Sequence, residues 1–361
     1  MKRIGFISLF FCLLCMTVTP ARAEDPITSL PRPTLAIIDT ALDSSIPSIR
    51  ERLIGEACIL DWPTCPNGRD FMEGSSAAYL SSLIINTGGF DHGTQMTSIA
   101  ILSNPDMNIL FIRIVGNSTN GARLNVSSFI FSDVLNWILK NREKYNVTAI
   151  AMSQGNSNTS ARSFFCNDSS AAYAIRDLWS VNIPVFLPTG NDGNTSQINW
   201  PACIPEAVAV GGAERNSQGV YEISKISSYE EGLVDLWAPI TAKAMGPGGT
   251  WRDVKGTSVS TQIAAAQYVA MTQKLPGSSV SWVLNEMKNS AIPITNSLNQ
   301  FGRLILIPGL TNSALPQTTV SPTPVVQNKP LPILTITCTK GKKSVQVSAI
   351  APVCPSGYRK K

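Results

Sequence analysis

The sequence predicts a three-layer α/β fold, with a mainly parallel β-sheet and helices on both faces, followed by a short C-terminal disulfide-held tail. Between about residues 30 and 309, short apolar runs of the kind that form buried strands alternate with stretches of helical periodicity. Such alternation favours a parallel sheet that is covered on both sides. Of the 361 residues, 43% are apolar and 15% are charged, a balance that allows a sizeable core.

The strand and helix signals follow one another in chain order. Strand-like apolar runs occupy residues 35–38, 109–115, 148–152, 183–187 and 207–210. Helical patterns occupy residues 128–145, 169–180 and 258–274. In the first helical pattern, the apolar residues recur at a spacing that places them on one side: Phe131, Val134, Leu135, Ile138 and Leu139. A sheet of this kind places its functional site beyond the carboxyl ends of its strands.

Residues 1–23 are typical of a secretory signal peptide. Lys2 and Arg3 precede an apolar run over residues 4–18, and Ala21 and Ala23 place small residues at the two positions that a signal peptidase reads. A membrane anchor is the alternative, but the run is short for a span of about 20 residues. We therefore expect a secreted or cell-surface protein.

The cysteines predict disulfide bonds. Six remain after the signal peptide, and an even number in an exported chain favours disulfides, with 15 pairings in principle. A zinc site is the alternative, but no Cys-x-x-Cys pair remains and the chain has one histidine. Cys58 and Cys65 flank a turn-forming stretch, and Cys338 and Cys354 are the two that lie beyond a Pro-rich segment. The expected bonds are Cys58–Cys65, Cys338–Cys354 and, from the remaining pair, Cys166–Cys203.

The composition after the signal peptide divides the chain into three parts. Residues 24–313 carry the α/β pattern, residues 314–333 are a Pro-rich linker, and residues 334–361 are a basic tail with two cysteines. The net charge of +5 comes from the ends, since residues 24–328 hold 19 basic and 24 acidic residues. This acidic balance argues against a nucleic-acid partner. The tail predicts either association with a cell surface or a simple solvated end.

The single histidine, His92, lies in Asp91-His92-Gly93-Thr94, where an apolar helical pattern begins. A lone histidine is more often structural, but two other residues change this interpretation. Asp39 ends the first strand run, and Ser258 opens the helical pattern after Gly256-Thr257. Acyl transfer by a serine needs a nucleophile, a base and an orienting carboxylate, and histidine is the usual base near neutral pH. Taken alone, Ser258 would be interpreted as a helix cap.

Four motifs together resemble the subtilisin-like serine proteases over about residues 34–310. Ile38-Asp39-Thr40, His92-Gly93-Thr94 and Gly256-Thr257-Ser258 stand in the order acid, base, nucleophile, and residues 188–193 are similar to the oxyanion loop of that family. The resemblance implies a subtilisin-like fold and serine endopeptidase activity on polypeptide substrates. In that activity Asp39 orients His92, which takes the proton of Ser258. The Asn191 side chain and the Ser258 backbone N–H bind the oxyanion.

The resemblance also implies a substrate-binding cleft. Ser153-Gln154-Gly155 matches a segment whose backbone, in members of the family, pairs with an extended substrate peptide. Gly190 belongs to the oxyanion loop. An ordinary strand end with a turn is the alternative for residues 153–155. The chain departs from the family pattern at Ala41, where glycine is usual, but the departures remove no reacting group.

Three expectations concern cofactors, processing and alternative functions. The chemistry needs no cofactor and the sequence identifies no metal ligands; structural calcium sites are common in the family, but none can be placed here. About ten residues separate Ala23 from the first strand, so no pro-region is recognisable in the chain. The alternative functions are a catalytically inactive peptide-binding or surface protein, and an esterase or transacylase that uses the same triad.

Overall fold

The computed structural model describes residues 32–306, apart from residues 63, 87–88, 119–121, 156–160 and 168, and residues 334–340, 343–349 and 359–360. The predicted signal peptide and the predicted linker lie outside the described residues. By internal contacts the chain divides into two compact units, Met1–Thr311 and Asn312–Lys361.

The described part of the first unit contains fifteen strands. In chain order they are β1 (Thr34–Asp39), β2 (Leu53–Ile59), β3 (Phe71–Glu73), β4 (Asn108–Arg113), β5 (Val147–Met152), β6 (Ala161–Arg162), β7 (Val185–Pro188), β8 (Ile198–Asn199), β9 (Ala207–Arg215), β10 (Tyr221–Ile223), β11 (Leu236–Pro239), β12 (Thr241–Met245), β13 (Trp251–Lys255), β14 (Ile292–Thr295) and β15 (Phe301–Leu304).

The helices of this unit alternate with the strands. They are α1 (Pro47–Arg50), α2 (Ser82–Ile85), α3 (His92–Ser103), α4 (Ser128–Asn141), α5 (Ser170–Ser180), α6 (Thr257–Lys274) and α7 (Val280–Ser290), with one 3₁₀ turn at Pro247–Gly249.

One mainly parallel sheet forms the centre of the first unit. Its strand order is β14-β15-β11-β9-β7-β5-β1-β4-β2-β3, and β10 pairs with β9. The pairs from β2 to β15 along this order are parallel, whereas β3, β10 and β14 join antiparallel at its borders. Two apolar clusters lie on opposite faces: one includes α4 and α5, and the other includes α3, α6 and α7. This arrangement is the predicted three-layer α/β fold.

The predicted elements are present, although several of their predicted boundaries differ by one to five residues. The five apolar runs correspond to β1, β4, β5, β7 and β9, and the helical patterns correspond to α4, α5 and α6. The first helical pattern was expected to reach residue 145, but α4 ends at Asn141. The chain then turns back toward the sheet, with Asn146 at a φ of +48° and Val147 starting β5.

Two of the three predicted disulfides are present in the structure. Cys58 is bonded to Cys65 at the end of β2, and Cys166 is bonded to Cys203 across a sequence separation of 37 residues. Both cysteines of the second bond are buried, and the Cys166 backbone N–H also donates to the Cys203 carbonyl at 2.9 Å. The third predicted bond, Cys338–Cys354, lies outside the described residues.

The second unit contains a small antiparallel sheet. Its strands are β16 (Leu334–Lys340), β17 (Lys343–Ala349) and β18 (Arg359–Lys360), in the order β17-β16-β18. Within the described residues of both units, no helix has the length and apolar character that a membrane span requires.

Candidate active site

The predicted site residues converge at the carboxyl ends of three neighbouring strands. Asp39 ends β1, residues 153–155 follow β5, and residues 190–191 follow β7. These three strands are adjacent in the sheet, so their ends open at one edge. Two helices of the same face, α3 and α6, contribute their first turns, which carry His92 and Ser258.

A cleft of about 480 Å³ runs over this edge. Seven of the eight predicted site residues line it: His92, Ser153, Gln154, Gly155, Gly190, Asn191 and Ser258. Asp39 lies behind His92 and is fully buried. The topology therefore brings all of the predicted catalytic and substrate-binding residues together, although they are spread over 220 residues of the chain.

The pairing of Asp39 with His92 fixes the state of the histidine ring. The distance from His92 Nδ1 to Asp39 Oδ1 is 2.8 Å, and the His92 side chain is 22% exposed. An ionised carboxylate only accepts hydrogen bonds, so the ring carries its proton on Nδ1. The other ring nitrogen, Nε2, is then free to accept a proton, which is the state that a general base requires.

Thr40 connects the end of β1 to the start of α3. Its backbone N–H donates to Asp39 Oδ1 at 2.7 Å. Its hydroxyl donates to the Phe90 carbonyl and accepts from the Gly93 N–H, both at 2.9 Å. A Cβ atom on Gly93 would clash with the backbone carbonyl of Ala41, so the helix approaches the strand this closely only with glycine at that position. The sequence motif identified Thr40 and Gly93, but not this reason for them.

Ser258 lies in the first turn of α6, after the helix N-cap Gly256. It is therefore not the N-cap itself, and the free N–H groups of the first turn lie beside it. Its hydroxyl donates to the Ser153 carbonyl at 3.2 Å. The Ser153 hydroxyl in turn donates to the Ser258 carbonyl at 3.2 Å and accepts from Gln262 Nε2 at 2.9 Å. These contacts hold the start of α6 against the end of β5, and rotation of Ser258 about χ1 redirects its hydroxyl.

The Asn191 side chain is held by its oxygen. Its Oδ1 accepts hydrogen bonds from the Thr257 backbone N–H at 2.8 Å and from the Thr257 hydroxyl at 3.0 Å. Because the oxygen is occupied by donors, the amide orientation is fixed and the NH₂ group is left for another partner. Asn191 and Ser258 both line the cleft, so an oxyanion bound there can receive a side-chain donor and a helix-terminal backbone donor.

The Gln154 side chain has contacts that the sequence did not suggest. Although this residue lines the cleft, it is only 7% exposed, and its Nε2 donates to Asp39 Oδ1 at 2.9 Å. The same nitrogen lies 3.2 Å from His92 Nδ1. Its Oε1 accepts a hydrogen bond from the Arg123 guanidinium. In the sequence, Gln154 was recognisable as part of the cleft segment alone, and nothing identified Arg123.

Gly190 occupies a position where a larger residue would not fit. Its φ is +113°, and a Cβ atom there would clash with the Asn199 amide. This close approach lets the chain turn directly from β7 into the loop that carries Asn191. Gly155, by contrast, has room for a Cβ at 3.4 Å from the Trp200 carbonyl, so its small size serves to leave the cleft open.

Two charged pairs lie beside the site, and Lys255 of one of them also lines the cleft. Asp91 pairs with Arg252 at 2.6 Å, and Lys255 pairs with Glu214 at 2.5 Å. Arg113, at the end of the neighbouring strand β4, is 2% exposed, and burial lowers its pKa to about 10. Within the part of the chain that the structure describes, no group of three or more His, Cys, Asp or Glu side chains is arranged to bind a metal ion.

The chain is similar to known peptidases. The model of the subtilase family matches residues 32–317. Subtilisin BL of Lederbergia lenta is 28% identical over 224 residues, which are 59% of this chain and 74% of that protein. An alkaline protease of Alkalihalobacillus alcalophilus has the same identity over the same length, about half (53%) of that longer protein.

Solved structures show the same fold. A cold-adapted subtilisin-like serine proteinase superimposes with a TM-score of 0.56 at 17% identity, covering 76% of this chain and 88% of the other. The family model, which spans more than half of the chain, decides the assignment. The chain belongs to the subtilase family of serine peptidases.

Proposed function

We propose that this protein is a secreted serine endopeptidase that hydrolyses peptide bonds in polypeptides. The observation that carries the proposal is the joint placement of Asp39, His92, Ser258 and Asn191 at one cleft, with the His92 ring fixed by Asp39. These residues come from four separate segments, so the arrangement is a property of the fold rather than of a local motif. The family membership supports the same conclusion.

In the proposed mechanism, His92 acts as the general base. The hydroxyl of Ser258 turns from the Ser153 carbonyl toward His92 Nε2, which takes its proton as Oγ attacks the scissile carbonyl carbon. The ring then carries two protons, and the buried Asp39 carboxylate stabilises its positive charge. His92 next gives the proton to the leaving amine. Water repeats the sequence on the acyl-enzyme and releases Ser258.

The oxyanion of each tetrahedral intermediate is stabilised by two donors. One is the Asn191 NH₂ group, whose orientation Thr257 fixes, and the other is the backbone N–H of Ser258. Both are in place before the charge develops, which is why such donors contribute mainly to the transition state.

The cleft supports a polypeptide substrate. The residues 153–155 follow a central strand and leave backbone groups at the edge of an open cleft, where an extended peptide can add as a strand. Gly155 and Gly190 keep this surface free of side chains. The proposed chemistry needs no cofactor. The predicted signal peptide and the disulfides support a location outside the cell.

A library of peptides and simple esters tests the proposal. Purified residues 24–361 should cleave internal peptide bonds, and Ser258→Ala should not. Hydrolysis of esters without any peptide cleavage would favour an esterase or transacylase. A folded protein that binds peptides but cleaves neither class would favour an inactive peptide-binding protein.

A further inference from the structure

We propose that Gln154, anchored by Arg123, is a positioning residue. It fixes the orientation of the Asp39 carboxylate and weakens the attraction between that carboxylate and the protonated His92 ring. The inference rests on the proposed triad, since it concerns how that triad is tuned. It goes beyond the role expected from the sequence, in which Gln154 only lines the substrate cleft.

The direction of the hydrogen bonds leaves one orientation for the Gln154 amide. Arg123 has only donors, so the contact with its guanidinium must use Gln154 Oε1. The Asp39 carboxylate has only acceptors, so the contact at 2.9 Å must use Nε2. A flipped amide would face a donor with a donor and an acceptor with an acceptor. The two hydrogen bonds that link Arg123, Gln154 and Asp39 therefore point in one direction, with the positive charge of Arg123 at the outer end.

Three N–H groups converge on one oxygen of Asp39. They come from Thr40 at 2.7 Å, His92 at 2.8 Å and Gln154 at 2.9 Å. Among the described residues, the other oxygen, Oδ2, is buried without a hydrogen-bond partner. The 3.2 Å separation of Gln154 Nε2 and His92 Nδ1 then reflects two donors that share an acceptor. Gln154 thus competes with His92 for the same negative charge.

The charges near the histidine determine the sign of the effect. Asp39 faces the ring directly; Asp91 precedes it but is paired with Arg252. Asp192 and Lys255 also line the cleft, the latter paired with Glu214, and Arg123 reaches the site through Gln154.

A donor on Asp39 disperses the carboxylate charge, so the protonated form of the His92 ring gains less from it. Loss of the Gln154 donor therefore favours the protonated ring and moves its titration to higher pH.

The single histidine makes a direct test available. With ¹³C- and ¹⁵N-labelled histidine, the protein gives one set of ring NMR signals, which need no assignment and no catalytic turnover. The titration is followed in the Ser258→Ala background for Gln154→Leu, Gln154→Glu and Arg123→Gln. Gln267→Leu is the matched control, since that glutamine donates to the Ser103 carbonyl at the far end of α3.

We expect the half-titration pH of the His92 ring to rise by about 0.5–1 unit in Gln154→Leu and further in Gln154→Glu, which adds a negative charge. Arg123→Gln should shift it in the same direction, and Gln267→Leu should leave it unchanged. With Ser258 present, kcat of Gln154→Leu should fall at pH values where the wild type is fully active, with KM little changed.

Two results overturn the inference. One is a ring titration that coincides with that of the parent in both Gln154 variants; the other is a loss that appears in KM alone, which would make Gln154 a binding residue. If Gln154→Leu does not fold, the isosteric Gln154→Glu and the exposed Arg123→Gln give the same readout. Failure of the wild type to cleave peptides would instead contradict the proposed function, because the NMR titration does not depend on turnover.

Discussion

At the scale of single residues, the Asn191 side chain is anchored through its oxygen, and its NH₂ group is left for another partner. Thr257 donates to that oxygen, so replacement by leucine removes the NH₂ donor to the oxyanion together with the acceptor of two Thr257 hydrogen bonds. We expect Asn191→Leu to lower kcat by about 10²–10³-fold, the loss known for subtilisin when one such donor is removed, with KM little changed. Steady-state kinetics on one peptide substrate measures both constants.

Thr257→Val is the control for this prediction. It removes the hydroxyl donor but keeps the backbone N–H that also holds Asn191. Its kcat should fall by a smaller factor than that of Asn191→Leu. A rise in KM with unchanged kcat in Asn191→Leu would show that this side chain binds substrate equally in the ground state and the transition state.

The sequence predicted which residues meet in the candidate site but not how they are held. Asp39, His92, Ser258 and Asn191 were recognisable because each stands in a short motif at the end of a strand or the start of a helix. The contact between Gln154 and Asp39 was not, because it depends on a side-chain rotamer and on Arg123, 31 residues away. Side-chain contacts of this kind leave no periodic pattern and no fixed spacing in the amino-acid sequence.

At the scale of elements, the Cys166–Cys203 disulfide joins the segment before α5 to the segment before β9. Its sequence separation is 37 residues, whereas that of Cys58–Cys65 is 7. Closing the longer loop restricts the unfolded chain more, so loss of Cys166–Cys203 should lower the free energy of unfolding by roughly 3–5 kcal/mol on the chain-entropy estimate. Loss of Cys58–Cys65 should cost less, about 2–3 kcal/mol on the same estimate.

Denaturant unfolding of two paired serine variants measures this difference. One variant carries Cys166→Ser and Cys203→Ser, and the other carries Cys58→Ser and Cys65→Ser. The reverse order of stability would show that local packing at the shorter bond outweighs the entropy of the unfolded chain.

The edge strand β3 is tied to the turn after α4 by Glu73. Its carboxylate accepts from Lys144 at 2.5 Å and from the Tyr145 hydroxyl at 2.6 Å. The hydrogen bond from Lys144, together with that from Tyr145, holds the pKa of Glu73 below its ordinary value of 4.5. The stabilisation is therefore present above that ordinary value and is lost as pH falls through the lowered one.

Glu73→Gln should lower the free energy of unfolding at pH 7 by up to about 1 kcal/mol, because solvent screens the pair. The difference from the wild type should disappear in strongly acidic solution. Glu143→Gln is the control, since that side chain is 86% exposed and its pairing with Arg142 should contribute nothing measurable. A difference that persists unchanged at low pH would show that Glu73 acts through packing rather than charge.

The central strands and the main helices could be predicted from the pattern of apolar residues. Buried central strands are continuous apolar runs, so β1, β4, β5, β7 and β9 were visible in the sequence. The border strands β3, β10 and β14 were not, since they are short, half exposed and paired antiparallel. The predicted end of α4 was wrong by one turn because Tyr145 lies seven residues after Ile138 and extends the helical spacing, whereas in the structure it belongs to the turn that leads into β5.

At the scale of the whole molecule, the basic tail is a unit distinct from the acidic main domain. We predict that Cys338 is bonded to Cys354, which would close the tail on itself. Peptide mapping of the non-reduced protein should yield one fragment that contains both cysteines and no residue from the main domain. A fragment that links either one to a cysteine before residue 314 would contradict the prediction.

The central claim is that Ser258 is a nucleophile activated by His92 and Asp39, and covalent labelling tests it most directly. A fluorophosphonate should modify the wild-type protein at Ser258, located by mass spectrometry, and Ser258→Ala should not react. The rate of labelling should fall sharply in His92→Ala and Asp39→Asn, and Ser258→Ala should lose about 10⁶-fold in turnover, a magnitude known from subtilisin. Absence of labelling at Ser258 in the folded wild type, or equal labelling without His92, would contradict the account.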